Sequence, residues 1–379
     1  MSAHRVSSWF ALVIAASLLS GCATLPRVDF SASEQALAQP IGFRDVRFSE
    51  ESPDLGAAVE RALHPDEHGE VRVLAMSGGG ANGAYGAGLL YNWIRSGRMP
   101  KFQLVTGVST GALGAPFAFV GAGWEERLKS SFLENKVRGL LRGRGVLSLI
   151  TPGVFSRAPL DDLVRSYVTD DLLAAVAVEH RKGRRLLVAT TNLDTEQFIV
   201  WDMGAIAVQG GASAKELFAE VLIASASVPG VYPPTLIPVE NGERRFEEMH
   251  VDGQTVRAFF AIPSRLLLAN RNFGALDRAD YYVVINGRLD SLFQVTPVSA
   301  LPIIGRSFDT AARASVRQTV LSTAEFCKQR GCHLLLSSLP KSERDDPIDF
   351  SAAHINSLFR AGQAAMSSGA AWRSDLLTF

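Results

Sequence analysis

A layered α/β fold, with a mostly parallel central sheet and helices on both faces, is predicted by three features of this sequence. Short apolar runs of strand length alternate with helical patterns from Val71 onward, which is the pattern of a parallel sheet covered on both sides. Two consecutive runs end in small-residue turns that open directly into helical patterns. The composition, 47% hydrophobic and 20% charged, supplies a large core and is too apolar for a disordered chain.

In order, Val71–Met76 reads as a buried strand, followed by glycines and a helix over Ala84–Arg95. Phe102–Val108 is a second strand and enters a small-residue helix from Thr110. Arg185–Thr191, Phe198–Trp201, Glu247–Asp252, Tyr281–Ile285 and His333–Leu336 complete the strand candidates. Helical patterns cover Ser156–His180, Ala214–Ala226, Phe308–Gln329 and Ala352–Ser367. No internal repeat interrupts this order, so residues 70–379 are read as one domain, C-terminal helices included. Residues 22–69, with Pro26, Pro40, Pro53 and Pro65, read as a tether and irregular packing against the body.

The balance of 38 Lys+Arg against 38 Asp+Glu in the 379 residues argues against nucleic acid as a partner, which calls for a basic excess. Three cysteines make neither a disulfide scaffold nor a zinc site, and no metal or cofactor constellation is seen. Cys327 and Cys332 stand close enough to pair, or to remain two buried thiols.

Residues 1–21 read as an export signal. Arg5 precedes the apolar run Trp9–Leu19, whose eleven residues are too short to cross a bilayer but suit a signal-peptide core. The ending Leu19-Ser20-Gly21-Cys22 resembles the lipobox of bacterial lipoproteins. That resemblance implies cleavage before Cys22, its lipidation, and anchoring to a membrane. Ala23 in place of Asp implies the outer membrane, facing the periplasm.

Two turns carry the chemistry. Ser77-Gly78-Gly79-Gly80-Ala81-Asn82-Gly83 lies between a strand and a helix. No Gly-Lys-Ser/Thr follows it, and no acid occurs between Glu70 and Glu125 to hold a ribose, so nucleotide binding is excluded. What remains is a nest of amides at a helix start, suited to an oxyanion. Gly107-Val108-Ser109-Thr110-Gly111 is a GxSxG nucleophile elbow in its strand–turn–helix context. Together they point to acyl transfer with Ser109 as nucleophile. For the base, an order Ser109…Asp252…His333 or His354 leaves an α/β-hydrolase triad open. Asp252, closing a strand ahead of Gly253, is a candidate in its own right, with Asp194 and Asp202 as rivals.

The SGGGxxG turn, the GVSTG elbow, Ala224–Pro229 with Pro233-Pro234, and Val251-Asp252-Gly253 occur in the order of the patatin-like phospholipases, which this chain resembles from about Val71 to beyond Gly287. The resemblance implies a three-layer patatin-like fold and a serine lipid acyl hydrolase of phospholipase A or lysophospholipase type. It implies a Ser109–Asp252 dyad, with Gly78, Gly79 and Gly80 as the oxyanion hole and Gly107 and Gly111 flanking the nucleophile. Phospholipid or lysophospholipid would be the substrate. A triad esterase and a non-catalytic lipid-binding envelope lipoprotein are the alternatives. The sequence departs from the family at Gln254, where Gly or Ala is usual, and at Ser77 and Asn82, where many members carry Asp and a basic residue. The basic stretch Lys136–Arg144 reads either as a membrane-facing lid or as a solvated helix end.

Overall fold

A computed structural model describes residues 27–133, 140, 153–268 and 277–374. The export signal, Cys22 and the basic stretch apart from Leu140 lie outside the described residues. In chain order the elements are α1 (Ala32–Leu37), β1 (Gln39–Pro40), β2 (Arg47–Ser49), α2 (Pro53–Ala62), β3 (Arg72–Met76), α3 (Gly83–Arg95), β4 (Leu104–Val108), α4 (Thr110–Val120) and α5 (Glu125–Leu133). There follow α6 (Ala158–Tyr167), α7 (Asp170–Arg181), β5 (Arg185–Asn192), β6 (Gln197–Asp202), α8 (Met203–Gln209), α9 (Gly211–Ser225), β7 (Thr235–Glu240) and β8 (Arg245–Asp252). The chain closes with α10 (Ser264–Leu268), β9 (Asp280–Ile285), α11 (Ala300–Arg330), β10 (His333–Ser338) and α12 (Ala352–Ser367).

The architecture is the expected three-layer α/β arrangement. Strands β5-β4-β3-β9-β10 form a parallel centre, and the antiparallel β8, β7 and β1 extend it on one side. Both faces of the inner parallel strands β3, β4 and β5 are buried, so these strands are largely apolar rather than alternating. Leu74, Met76, Val105 and Val284 face one core with α3, α4, α6, α7, α9 and α12. Val73, Ala75, Leu104, Tyr281 and Val283 face the other with α2, α10 and α11.

The edges of β5 position the site. Its residues Leu187–Asn192 pair with β6, which occupies one edge. On the other edge, Arg185–Ala189 pair with β4 and Thr190–Asn192 with β8. The parallel β4 and the antiparallel β8 therefore meet end to end along one edge of β5. Val108 stands opposite Ala189, and Asp252 opposite Thr190. At Gly253 a side chain would come within 2.7 Å of the Ala189 carbonyl, so the junction needs glycine.

Several elements differ from the sequence reading. Ser156–His180 is two helices, because the Thr169 hydroxyl caps the Leu172 amide and restarts the helix. Strand β7, beginning after Pro233-Pro234 and containing Pro238, was hidden by its prolines. Residues 27–62 carry two helices and two short strands. Of these, β1 pairs with β7 and β2 with β6. A buried cluster fixes this arm: Arg47 of β2 pairs with Glu248 of β8, which also hydrogen-bonds His250 Nε2 at 3.2 Å. Arg27 makes a bidentate pair with Asp194 (2.8 and 2.7 Å) and donates to the Glu247 carbonyl. Cys327, in the last turn of α11, and Cys332, just beyond its end, form a disulfide.

Helices α3 and α12 cross at backbone contact. A Cβ on Gly88 would fall 1.9 Å from the Phe359 carbonyl, and one on Gly362 2.0 Å from the Tyr85 carbonyl. Gly88→Ala should lower unfolding free energy by about 1–3 kcal/mol through overpacking, measured as a shifted urea midpoint at constant m-value.

Candidate active site

The Gly107–Gly111 segment is a sharp strand-to-helix turn. Ser109 adopts φ 54° and ψ −129°, a strained backbone for a residue with a side chain, and sits at the cap of α4. Its neighbours must be small. A Cβ on Gly107 would lie 2.6 Å from Ala112 Cα, and one on Gly111 2.5 Å from the Met76 carbonyl. The Ser109 amide donates to Ser225 Oγ (2.9 Å), and that hydroxyl donates to the Ala189 carbonyl (2.7 Å). The end of α9 thus ties the turn to β5.

Because β4 and β8 abut, the Ser109 hydroxyl reaches the side chain that ends β8. Ser109 Oγ donates to Asp252 Oδ2 at 2.5 Å, and Asp252 Oδ1 accepts the Gln254 amide at 2.8 Å. Asp252 is fully buried and Ser109 is 3% exposed. Burial pushes the Asp252 carboxyl up to about 7, against the smaller stabilising effects of the Ser109 and Gln254 hydrogen bonds.

The glycine turn follows β3 on the neighbouring strand end. The Gly78 amide donates to the Ala258 carbonyl (3.0 Å) and the Ala81 amide to Pro347 (2.9 Å). Among the described residues the Gly79 and Gly80 amides have no acceptor. The available donors therefore narrow from three glycines to two, joined by the amide of Thr110 at the start of α4, where first-turn amides lack helical partners. Gly79 must be glycine because Asn286 crowds it, the Asn286 carbonyl lying 1.9 Å from where a Cβ would go. Asn286 in turn holds the turn, its amide donating to Ser77 Oγ (2.9 Å) and its side chain to the Ser77 carbonyl (2.7 Å).

The departures at Asn82 and Gln254 have visible consequences. Asn82 Nδ2 donates to Asp345 (2.6 Å), whose other oxygen accepts Arg313 (2.7 Å), so the Arg313 cation meets this position through a carboxylate. The Gln254 side chain lies over Gly78, its Oε1 2.0 Å from the position of a Cβ there. Ser109 Cβ lies 3.0 Å from that same position, so the Gln254 side chain and the nucleophile flank one point above the glycine turn.

No imidazole joins this group among the described residues. His333 opens β10, at the opposite edge of the sheet from the elbow, and pairs with Asp280 at 2.9 Å. His354 contacts the Asp346 carbonyl (3.2 Å), and the buried His250 bonds Thr190 (2.9 Å) and Glu248. Neither His333 nor His354 hydrogen-bonds Ser109 or Asp252, whose hydroxyl and carboxylate meet directly. The rival acids are structural: Asp194 holds Arg27 and the Met249 amide, while Asp202 caps α8 at the Ala205 amide. Sequence reasoning did not assign Ser225, Asn286 or Thr110. The position after the nucleophile is the one signal that pointed to the last of these.

A strained serine on a strand–helix turn, buried against a carboxylate and beside free amides, defines the class of serine acyl hydrolases of layered α/β fold. The model of the patatin-like phospholipases matches residues 74–263, half of the sequence, and the chain belongs to that family of lipid acyl hydrolases. Among solved structures, VipD from Legionella pneumophila is similar over 80% of this chain and 69% of its own, at 14% identity and a TM-score of 0.35. No curated protein matches.

The buried carboxyl makes a stability prediction. Below about pH 4 both folded and unfolded chains hold the Asp252 proton, and burial carries no ionic penalty. Between about 4 and 7 only the unfolded chain ionises, so stability falls as pH rises. Above about 7 the full penalty, on the order of 4 kcal/mol, applies. Asp252→Asn removes it, so the variant should gain on wild type between pH 5 and pH 8 in urea unfolding, whereas a constant difference would count against the buried charge.

Proposed function

We propose that the protein hydrolyses acyl esters of phospholipids or lysophospholipids with a Ser109–Asp252 dyad, while held to the outer membrane through a lipidated Cys22 and facing the periplasm. The observation that carries the dyad is the 2.5 Å hydrogen bond from Ser109 to a buried Asp252. An Asp at its ordinary pKa near 3.9 is a weak base, and one raised to about 7 is matched to a hydroxyl attacking at neutral pH. Ser109 Oγ adds to the ester carbonyl as its proton passes to Asp252 Oδ2. The amides of Gly79, Gly80 and Thr110 receive the tetrahedral oxyanion. Asp252 then returns the proton to the departing alcohol, leaving an acyl-Ser109 ester. Water, deprotonated by the same carboxylate, frees the fatty acid and restores the serine.

Gly107 and Gly111 act by keeping the elbow compact, and Gly78 by closing the turn onto Ala258. The Gln254 side chain limits the width of the acyl acceptor near Ser109. The lipid anchor rests on the Leu19–Cys22 motif and would deliver the enzyme to a surface rich in substrate.

Ser109→Ala should abolish labelling by a fluorophosphonate and cut ester hydrolysis by about a thousandfold or more, with folding unchanged by circular dichroism. Wild-type kcat/KM on a soluble ester should rise with pH along a limb centred near 7. The doubly substituted His333→Asn, His354→Asn enzyme should keep full rate; a large loss would reinstate an imidazole base.

A further inference from the structure

The carboxyl edge of the sheet, where the site lies, carries hydrocarbon that the fold does not cover. Phe293 is 91% exposed and Val298 97%, with Val295, Ile303 and Ile304 also exposed between and after them. This stretch leaves β9 at Asn286, the residue packed on Gly79. The seven residues from Asn286 to Phe293 reach at most about 25 Å, so Phe293 cannot stray far from the oxyanion turn. A second segment behaves alike: Pro347 meets Gly80 and the Ala81 amide, and the next residue, Ile348, is 64% exposed. In a third, Val256 is exposed just beyond the Asp252 turn. Three segments, each fixed to a residue of the site, end in uncovered apolar side chains. Exposed hydrocarbon on three segments that each lead from the site is the pattern of an interaction face rather than of singly scattered surface residues.

Charge selects the occupant. No Asp or Glu occurs between Asp290 and Asp309. Arg306 donates to the Leu292 carbonyl (2.5 Å) and to Gln294 Oε1 (3.4 Å), and Arg317 to the Leu289 carbonyl (2.6 Å) and Ser291 Oγ (3.2 Å). Both arginines pin the loop through neutral oxygens rather than through a carboxylate of the loop itself. The nearest acid on α11, Asp309, lies against Arg313 as well as Arg306. A loop held in place loses little entropy when its tip is buried. Hydrocarbon at the tip with guanidinium behind it matches an anionic bilayer, acyl chains below and phosphates at the rim.

We propose that Phe293, Val295 and Val298, with Ile348 and Val256 beside them, form a lipid-docking face that enters a bilayer around the mouth of the site, with Arg306 and Arg317 at the level of anionic headgroups. This rests on the reading of the substrate as a membrane lipid, and it places the elbow against the surface from which that lipid is drawn.

The test uses the full chain carrying Phe293→Trp, with phosphatidylcholine–phosphatidylglycerol vesicles containing brominated acyl chains. The added tryptophan should be quenched relative to wild type. One introduced by Leu321→Trp, exposed further along α11, should not be quenched. A lipid anchor alone would quench neither, so a Phe293→Trp protein that shows no added quenching overturns the proposal. A blue shift that grows with protein concentration without lipid means a second copy covers the face, and also overturns it. The paired substitutions Phe293→Ser and Val298→Ser should slow hydrolysis of bilayer lipid about tenfold or more, leaving a soluble ester within about twofold. Equal rates on bilayers would refute docking. A wild type inactive on both substrates would instead refute the proposed chemistry, while the quenching still decides the docking.

Discussion

Everything in the site depends on one edge of β5 being shared by two strands that run toward each other. Parallel β4 fills that edge as far as Ala189, and antiparallel β8 takes over at Thr190. Two strand ends meet head on, and the residues that end them, Ser109 and Asp252, are 143 positions apart in the chain yet in hydrogen-bond contact. Strand registry is rigid on the scale of a hydrogen bond because a slip of one residue turns every side chain to the opposite face. The pair is therefore aligned by the sheet itself rather than by a mobile loop. The supporting contacts have the same logic: Ser225 joins the elbow amide to β5, and the Asp252 amide donates to the Ser227 carbonyl at 2.9 Å. The end of one helix secures both sides of the junction.

Dry surroundings give the carboxylate its reactivity and weaken the fold in the same stroke. Desolvation disfavours the charged form of Asp252, and only two hydrogen bonds, one of them from Ser109 itself, act against it. Elsewhere the protein treats buried charge differently. Glu248, equally enclosed, has Arg47 and His250 as partners and is held below the usual carboxylate range despite its desolvation. Glu248 and Asp252 stand on the same strand and face, separated by His250. One is neutralised by pairing and serves the fold, whereas the other is left with a hydroxyl and serves the reaction.

The sequence made the chemistry legible where local geometry dictates residue type. The elbow could be read because only glycine tolerates the approach of Ala112 and of the Met76 carbonyl. The inner parallel strands could be read because two-sided burial makes them largely apolar. Asp252 was a candidate by its strand-ending position, but only the resemblance set it above Asp194 and Asp202, since nothing local distinguishes a strand-ending Asp-Gly from a common turn. The occupancy of the Gly78 amide was not legible, because its acceptor, Ala258, lies far along the chain in an irregular stretch. Strands β1 and β2, two and three residues long, are too short to show a period. The weight of Ser225 and Asn286 lies in long-range hydrogen bonds that no spacing encodes.

The clamp on Arg27 has a geometric corollary. Its guanidinium is gripped by Asp194, which follows β5 on the same side of the sheet as the elbow. Cys22 and Arg27 are only five positions apart, a leash of at most about 18 Å. With acyl chains on Cys22 as proposed, the enzyme would be tied down beside its own mouth rather than from its back. It would graze the bilayer in a restricted set of poses, and lengthening the leash would loosen that orientation without touching a single catalytic atom.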